Sequence, residues 1–222
     1  MHEVVLEYLK SSFFMISYPV ALLVSVKNYR YYFNSILKYL PIIIGYTLLS
    51  ELLGLFIRDF DGIQIVSEIE YSYANNLIYN IYDIVVFTYF FYIFWKTFRV
   101  ALHKNVIKVG ASFYFLVTLI NPFFQDFFIF PQVYASSLGS LLLVICIFLY
   151  FKEIKQNQQN KDELLVWLSI GLFIFHFFFP FIMFIGDFNY QLYKALNLRQ
   201  IHHLLICAMY TCFIIGFIKI KR

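Results

Sequence analysis

The stretch LLVWLSIGLFIFHFFFPFIMFIG at residues 164–186 contains no Asp, Glu, Lys or Arg. A bilayer core about 30 Å thick is crossed by around 20 apolar residues in helical form. A helix satisfies its own backbone hydrogen bonds, which lipid cannot do. The stretch therefore predicts a transmembrane helix, and similar apolar stretches recur along the whole chain. The seven predicted spans are 5–26, 38–57, 74–95, 107–124, 132–151, 164–186 and 200–218.

The composition agrees with a membrane protein. Hydrophobic residues make up 62% of the 222 residues and charged residues 14%, against roughly 25% charged in an ordinary soluble domain. The connections between spans are too short to hold a catalytic or ligand-binding domain. We therefore expect an all-α membrane protein, with residues 1–222 forming a single seven-helix transmembrane bundle. The first span follows Glu3 without a basic segment or cleavage site, so we expect a retained helix.

The basic residues indicate the orientation of the bundle. Most of the 17 Lys and Arg residues lie on alternate connections, which the positive-inside rule places in the cytoplasm. This predicts an N-terminus outside, a C-terminus inside and a multi-pass protein of the inner (cytoplasmic) membrane. No connection carries a dense basic stripe, so we expect no nucleic-acid partner. The residues on the predicted cytoplasmic side are Lys27, Arg30, Lys38, Lys96, Arg99, Lys104, Lys108, Lys152, Lys155, Lys161, Lys219, Lys221 and Arg222.

Polar residues inside the predicted spans are the candidates for a site, because ionisable groups in hydrocarbon are costly and often functional. Asn76, Asn80 and Asp83 follow the i, i+4, i+7 spacing of one helix face. Most of these polar residues fall in the predicted outer half of the bundle. They predict a polar pocket that opens outward; alternatively, they only bridge helices. The candidate ligand-binding residues are Glu51, Asn76, Asn80, Asp83, His176 and His203.

No catalytic residue, metal ligand or cofactor follows from the pattern. The three cysteines lie inside predicted spans without the spacing of a metal site or a disulfide framework. Small residues recur every four positions in the fifth span, as Ala135 with Gly139 and Ser136 with Ser140. This spacing predicts a close approach of neighbouring helices.

Two other function classes remain open. A transporter or ion-conducting bundle needs a polar path past His176 to the cytoplasmic side. An intramembrane zinc hydrolase of the ceramidase and adiponectin-receptor type needs His and Asp ligands, for which Asp83, His176, His202 and His203 are the candidates. The HxxxH pattern of that class is missing from the last span. His202 and His203 also point about 100° apart on a helix.

Three stretches carry a family resemblance: NNLIYNIYDIVVFTYFFYIF at 75–94, VYASSLGSLLLVICIFLYFKEI at 133–154 and VWLSIGLFIFHFFFPFIMF at 166–184. In this order they resemble uncharacterised small seven-helix integral membrane proteins of Bacteroidota. Asn75, Asn76, Asn80 and Tyr82 match the Asn-rich start of the third helix in that group, and Val86 occupies a position where the group often has Glu. The group resembles the membrane sensor halves of some histidine kinases, which implies a sensory or accessory role.

The function that we expect from the sequence is the binding or sensing of a small ligand or lipid in the outer half of the bundle. The chain has no kinase, cyclase or nucleotide-binding segment of its own. We therefore expect it to contact membrane lipid and to act through a cytoplasmic or membrane signalling partner.

Overall fold

The computed structural model of the protein describes residues 13–59, 75–128, 130–157 and 163–220. Within these ranges the chain forms helices and no strand. A short 3₁₀ helix, Phe13–Ile16, precedes α1, and further 3₁₀ turns occur at Tyr29–Tyr31 and Asn121–Phe123. The α-helices are α1 (Ser17–Lys27), α2 (Leu40–Asp59), α3 (Asn75–Thr97), α4 (Ala101–Ile120), α5 (Val133–Asn157), α6 (Glu163–Phe188), α7 (Tyr190–Ala195) and α8 (Leu198–Lys219).

Six helices of the described residues, α2 to α6 and α8, are long and apolar enough to cross a membrane. A shorter apolar helical segment, Phe13–Lys27, lies where the first span is predicted, and residues 5–12 of that span fall outside the described residues. The chain is therefore a multi-pass helical membrane protein. The count of seven spans and the sides of the two termini stay predictions.

Two helices extend beyond one end of their predicted spans by more than a single turn. α4 begins at Ala101, whereas the predicted span begins at 107, and α5 ends at Asn157, whereas the predicted span ends at 151. Hydropathy locates the apolar part of a helix, but backbone hydrogen bonds continue into the polar interface, where water and headgroups solvate charged side chains. Lys104 and Lys108 therefore lie within α4 and not in a loop.

The chain divides into two compact units, residues 1–45 with 160–222 and residues 46–159. In the first unit, α6 and α8 approach closely at two glycines. A Cβ atom on Gly171 would lie 2.7 Å from the carbonyl oxygen of Met209, and one on Gly216 would lie 2.9 Å from the Cβ of Trp167. These two glycines permit the close packing of the two helices, as small residues do in membrane proteins.

The connection after α1 is held by Tyr32. Its hydroxyl donates a hydrogen bond of 2.9 Å to the carbonyl oxygen of Ser25, and its ring packs against Tyr29 and Phe217. Burial raises the pKa of Tyr32 to about 12. The hydroxyl therefore stays protonated at neutral pH and remains a donor. This bond fixes the turn between α1 and the start of α2.

The second unit contains α3, α4, α5 and most of α2. The small residues of α5 face its interior, since Ala135, Ser136 and Ser140 are all buried. A Cβ atom on Gly139 would lie 2.8 Å from the ring of Phe87 in α3. The predicted close approach at this small-residue face is therefore confirmed, and it brings the polar residues of α3 next to those of α5.

We predict that Gly171→Ala destabilises the protein, because the new methyl group meets a backbone carbonyl that cannot rotate away. Overpacking of this kind typically costs about 1–3 kcal/mol. Thermal unfolding of the purified protein in detergent measures the effect.

Gly45→Ala in the same unit is the matched control. Its Cβ atom would lie 3.9 Å from a side-chain methyl of Leu22, an ordinary contact, and alanine favours a helix over glycine. Equal melting temperatures for the two variants would contradict the close approach of α6 and α8.

Candidate functional site

The predicted polar face of α3 lies within the second unit and contacts two of its neighbouring segments. Asp83 lies roughly 12 Å along the helix from Asn75, from a rise of about 1.5 Å per residue. It is half-buried, whereas Asn80 is 3% exposed. This face includes the predicted site residues Asn76, Asn80 and Asp83. Asn80 binds backbone groups, whereas Asp83 binds a side chain.

Asn80 binds the connection between α4 and α5. Its Nδ2 donates to the carbonyl oxygens of Phe127 and Phe130 at 2.8 and 3.0 Å. Its Oδ1 accepts from the backbone N–H of Gln132 at 3.0 Å. Both donor hydrogens of the amide are therefore used, and the side chain fixes the entry into α5. Asn80 positions the residues around it, and its amide donors are already engaged.

Asp83 faces the serine-rich start of α5. Its Oδ2 accepts a hydrogen bond from the hydroxyl of Ser136. Tyr114 of α4 lies close enough for an electrostatic interaction with the carboxylate. Among the described residues no Lys or Arg pairs with Asp83. A carboxylate offers about four acceptor positions, so most of its capacity remains open at this point.

Two buried polar groups at the start of α5 lack a hydrogen-bond partner among the described residues. They are the Nε2 of Gln132 and the hydroxyl of Ser137, in residues 3% and 2% exposed. Gln132 lies one turn before Ser136, and the Ser136 N–H donates to its carbonyl oxygen at 2.9 Å. Gln132 and Ser136 therefore share a side of the chain. A buried amide donor without an acceptor costs free energy, which calls for an explanation.

Glu51 joins the same unit from α2. The hydroxyl of Tyr79 donates to its Oε2 at 3.3 Å. Gly54, one turn later in α2, lies directly against the Tyr79 hydroxyl. Thr47 donates to the hydroxyl of Tyr82 at 3.4 Å. Glu51, Asn76, Asn80 and Asp83 therefore all belong to the second unit, with Glu51 and Asp83 held by different partners.

The two predicted histidines belong to the first unit. His176 is buried on α6, where Phe175 and Phe179 lie edge-on to its ring. His203 stacks on Phe14, with ring centroids 4.1 Å apart. His202, its neighbour on α8, instead contacts Phe175 of α6. The two adjacent histidines thus face different aromatic partners, as their 100° separation predicts, and both histidine sites lie among phenylalanine rings.

The sequence interpretation missed a second polar site, at the other end of the second unit. Glu153 of α5 accepts the backbone N–H groups of Arg99 at 3.1 Å and Val100 at 3.2 Å, just before α4 begins. The Nδ1 of His103 lies 2.6 Å from its Oε1. An ionised carboxylate only accepts, so Nδ1 carries the hydrogen. The only sequence signal was an acidic residue on a basic side of the protein.

Within the described ranges, no group of three or more His, Cys, Asp or Glu residues is arranged to hold a metal ion. The zinc-hydrolase alternative therefore gains no support from the arrangement of these side chains. No protein-family model, curated protein or solved structure matches the chain.

We predict that Asn80→Asp destabilises the second unit. The substitution replaces the Nδ2 donor with an oxygen that faces two carbonyl oxygens, so two hydrogen bonds are lost and like partial charges meet. Loss of buried hydrogen bonds costs about 1–3 kcal/mol per unsatisfied group. Thermal unfolding in detergent measures the change.

Asn189→Asp is the matched control for this substitution. The Oδ1 of Asn189 accepts the N–H of Leu192 at the start of α7, and aspartate keeps this acceptor. A carboxylate also suits a helix N-terminus. If Asn80→Asp were as stable as Asn189→Asp, the donor role of Asn80 would be refuted.

A separate prediction concerns Glu153→Ala, which removes the acceptor at the start of α4. We expect a loss of about 1–2 kcal/mol, the upper range for a helix cap, and faster amide hydrogen exchange at residues 99–105. Glu163→Ala is the control, because Glu163 is exposed in the first turn of α6. Unchanged exchange at residues 99–105 would show that Glu153 does not hold this helix end.

Proposed function

We propose that this multi-pass membrane protein binds a small polar ligand at the Asp83 side of its second unit and passes the bound state to a partner. The observation that carries the proposal is the half-buried carboxylate of Asp83, inside an apolar helix, with a serine as its hydrogen-bond donor. Ionisable groups at membrane depth are costly, so they are functional candidates by default.

The neighbouring groups define what such a ligand must offer. The Asp83 carboxylate needs a hydrogen-bond donor or a positive charge, since no basic side chain among the described residues supplies one. The Nε2 of Gln132 needs an acceptor. A ligand that carries both, such as a hydrated cation, an amino alcohol or an amino acid, complements this pair of groups. The ligand class is therefore small, polar and cationic at one end.

The surrounding contacts support a site with fixed geometry. Asn80 holds the start of α5 through Gln132, and this places Ser136 opposite Asp83. The close contact of Gly139 with Phe87 brings the two helices together one turn further on. A binding group held by packed helices needs little reordering when a ligand binds, which favours affinity.

The proposed orientation determines the sides from which the ligand and the partner reach the protein. In this proposal the protein lies in the inner membrane, with the Asp83 side outside and the Lys96 side in the cytoplasm, which is the orientation that the positive-inside rule predicts. A ligand would then reach Asp83 from outside, and a cytoplasmic or membrane partner would respond at the other end. The resemblance to membrane sensor halves supports this division of roles.

Thermal unfolding in detergent tests the binding step. The probes are sodium and potassium chloride, ethanolamine hydrochloride, glycine and alanine. Each is compared at equal ionic strength with tetraethylammonium chloride, a cation that has no acceptor for the Nε2 of Gln132. A ligand that binds the folded state stabilises it by about 2.7 kcal/mol at a concentration of 100 times its Kd. We expect at least one probe to raise the melting temperature, and Asp83→Asn to abolish the increase.

Asp126→Asn is the matched control. Asp126 is exposed, and its Oδ1 accepts the N–H of Phe128, a role that asparagine retains. The control should respond to the probe as the unaltered protein does. Stabilisation that persists in Asp83→Asn, or a panel in which no probe acts, would remove the support for this site.

A further inference from the structure

Two lysines from consecutive helices meet at one tryptophan in the second unit. The Nζ of Lys96, in α3, lies 5.2 Å from the ring centroid of Trp95. The Nζ of Lys108, in α4, lies 5.8 Å from a centroid of the same ring. Lys96 also lies 5.9 Å from the ring of Tyr92. Cation–π attraction holds ammonium groups near aromatic faces, so two positive charges are gathered at one indole.

Within the described part of the chain, these positive charges have no carboxylate to offset them. Among the described residues, no Asp or Glu lies within salt-bridge distance of Lys96 or Lys108. Glu153 is the acidic residue at this end of the unit, and it is buried against His103 and the start of α4. Two like charges that converge on one ring repel each other, so an external anion would relieve the repulsion.

Two further basic residues lie close to the pair in the chain. Arg99 is exposed in the short connection between α3 and α4, and Lys104 lies one turn before Lys108 on α4. The surface formed by Trp95, Lys96, Arg99, Lys104 and Lys108 is named here the basic indole surface. It is compact because the connection from α3 to α4 is only three residues long. It therefore presents several donors to a single anionic group.

An apolar exposed surface continues from these lysines along both helices. On α4, Phe115 and Leu119 follow Lys108 by seven and eleven residues, and they are 37% and 71% exposed. On α3, Tyr92 and Val85 precede Lys96, and they are 48% and 37% exposed. An anion that binds here therefore lies next to apolar side chains within membrane-spanning helices. A soluble anion gains nothing from that surface, whereas acyl chains do.

We propose that the basic indole surface binds the phosphate headgroup of an anionic phospholipid, whose acyl chains lie along α3 and α4. Tryptophan at the end of a span belongs to the headgroup region, and basic pockets between transmembrane helices bind anionic headgroups. The headgroup accepts hydrogen bonds from Lys96 and Lys108 and neutralises both. This site is separate from the one at Asp83, and it concerns lipid composition instead of a soluble ligand.

Fluorescence quenching tests the proposal, because Trp95 and Trp167 are the two tryptophans of the sequence. In full-length Trp167→Phe, Trp95 reports alone. The protein is reconstituted in vesicles that contain brominated phosphatidylglycerol or brominated phosphatidylcholine with the same chains. We expect preferential quenching by phosphatidylglycerol, with each lysine contributing about fivefold in relative association. Lys96→Gln with Lys108→Gln should therefore reduce this preference about 25-fold.

Lys152→Gln with Lys155→Gln is the matched control. It removes the same charge from exposed positions at the same end of the unit, and it should retain the preference. An equal loss in both double variants would overturn the site, since only general surface charge would then matter. Loss of the preference upon addition of inorganic phosphate at constant ionic strength would assign the surface to a free anion instead.

The salt dependence of the lipid preference, measured with both lysines intact, gives a second test in case the double variant does not fold. Binding through exposed charges weakens as salt screens them, so the phosphatidylglycerol preference of the Trp167→Phe protein should fall with added sodium chloride. A preference that high salt leaves unchanged, or equal quenching by the two lipids at low salt, would refute the proposal.

Discussion

Lipid offers no hydrogen-bond partner, so polar atoms within apolar helices must find partners in the protein. In the second unit, two side chains satisfy this constraint for the backbone at both ends of α4. Glu153 accepts the N–H groups that precede the helix. Asn80 binds the connection that follows it. These two residues come from α5 and α3, so the polar bonds that complete the ends of α4 also join the three helices.

The two carboxylates of this unit illustrate how different partners lead to different roles. Glu153 is 6% exposed and has three hydrogen-bonding contacts, two with backbone N–H groups and one with His103. Asp83 is half-buried and accepts from one hydroxyl among the described residues. A carboxylate with three donors is a structural cap, whereas one with a single neutral donor retains capacity for a ligand. For this reason Asp83, and not Glu153, is the candidate ligand-binding group.

Hydropathy and helical spacing were enough to predict the long helices and the polar face of α3. The apolar stretches predicted all six long helices, because lipid leaves the backbone few alternatives. The i, i+4, i+7 spacing placed Asn76, Asn80 and Asp83 on one face. Their partners were beyond reach: Ser136 lies 53 residues from Asp83 and Phe127 lies 47 from Asn80. No local pattern encodes such pairs, since they depend on which helices pack together.

The start of α4 also depends on a contact between residues that are far apart in the sequence. The predicted span began at 107 because His103, Lys104 and Asn105 lower the hydropathy of the preceding segment. The helix begins at Ala101 because Glu153, more than 50 residues away, accepts the free N–H groups at that point. His103, which joins this contact, had no distinguishing neighbour in the sequence. His176 and His203 pack against aromatic rings. In the sequence alone, such histidines look the same as histidines that bind a ligand.

The charges of the second unit are separated along α3. Asp83 lies in the first half of this helix and Lys96 near its end, roughly 20 Å apart at a rise of about 1.5 Å per residue. A ligand at the first residue and a headgroup at the second therefore do not compete for space. They share a single helix, whose polar bonds to α5 and to the connection before it involve Asn80 and Asp83. Because Asp83, Trp95 and Lys96 all lie on α3, this helix is the element that physically connects the two ends of the unit.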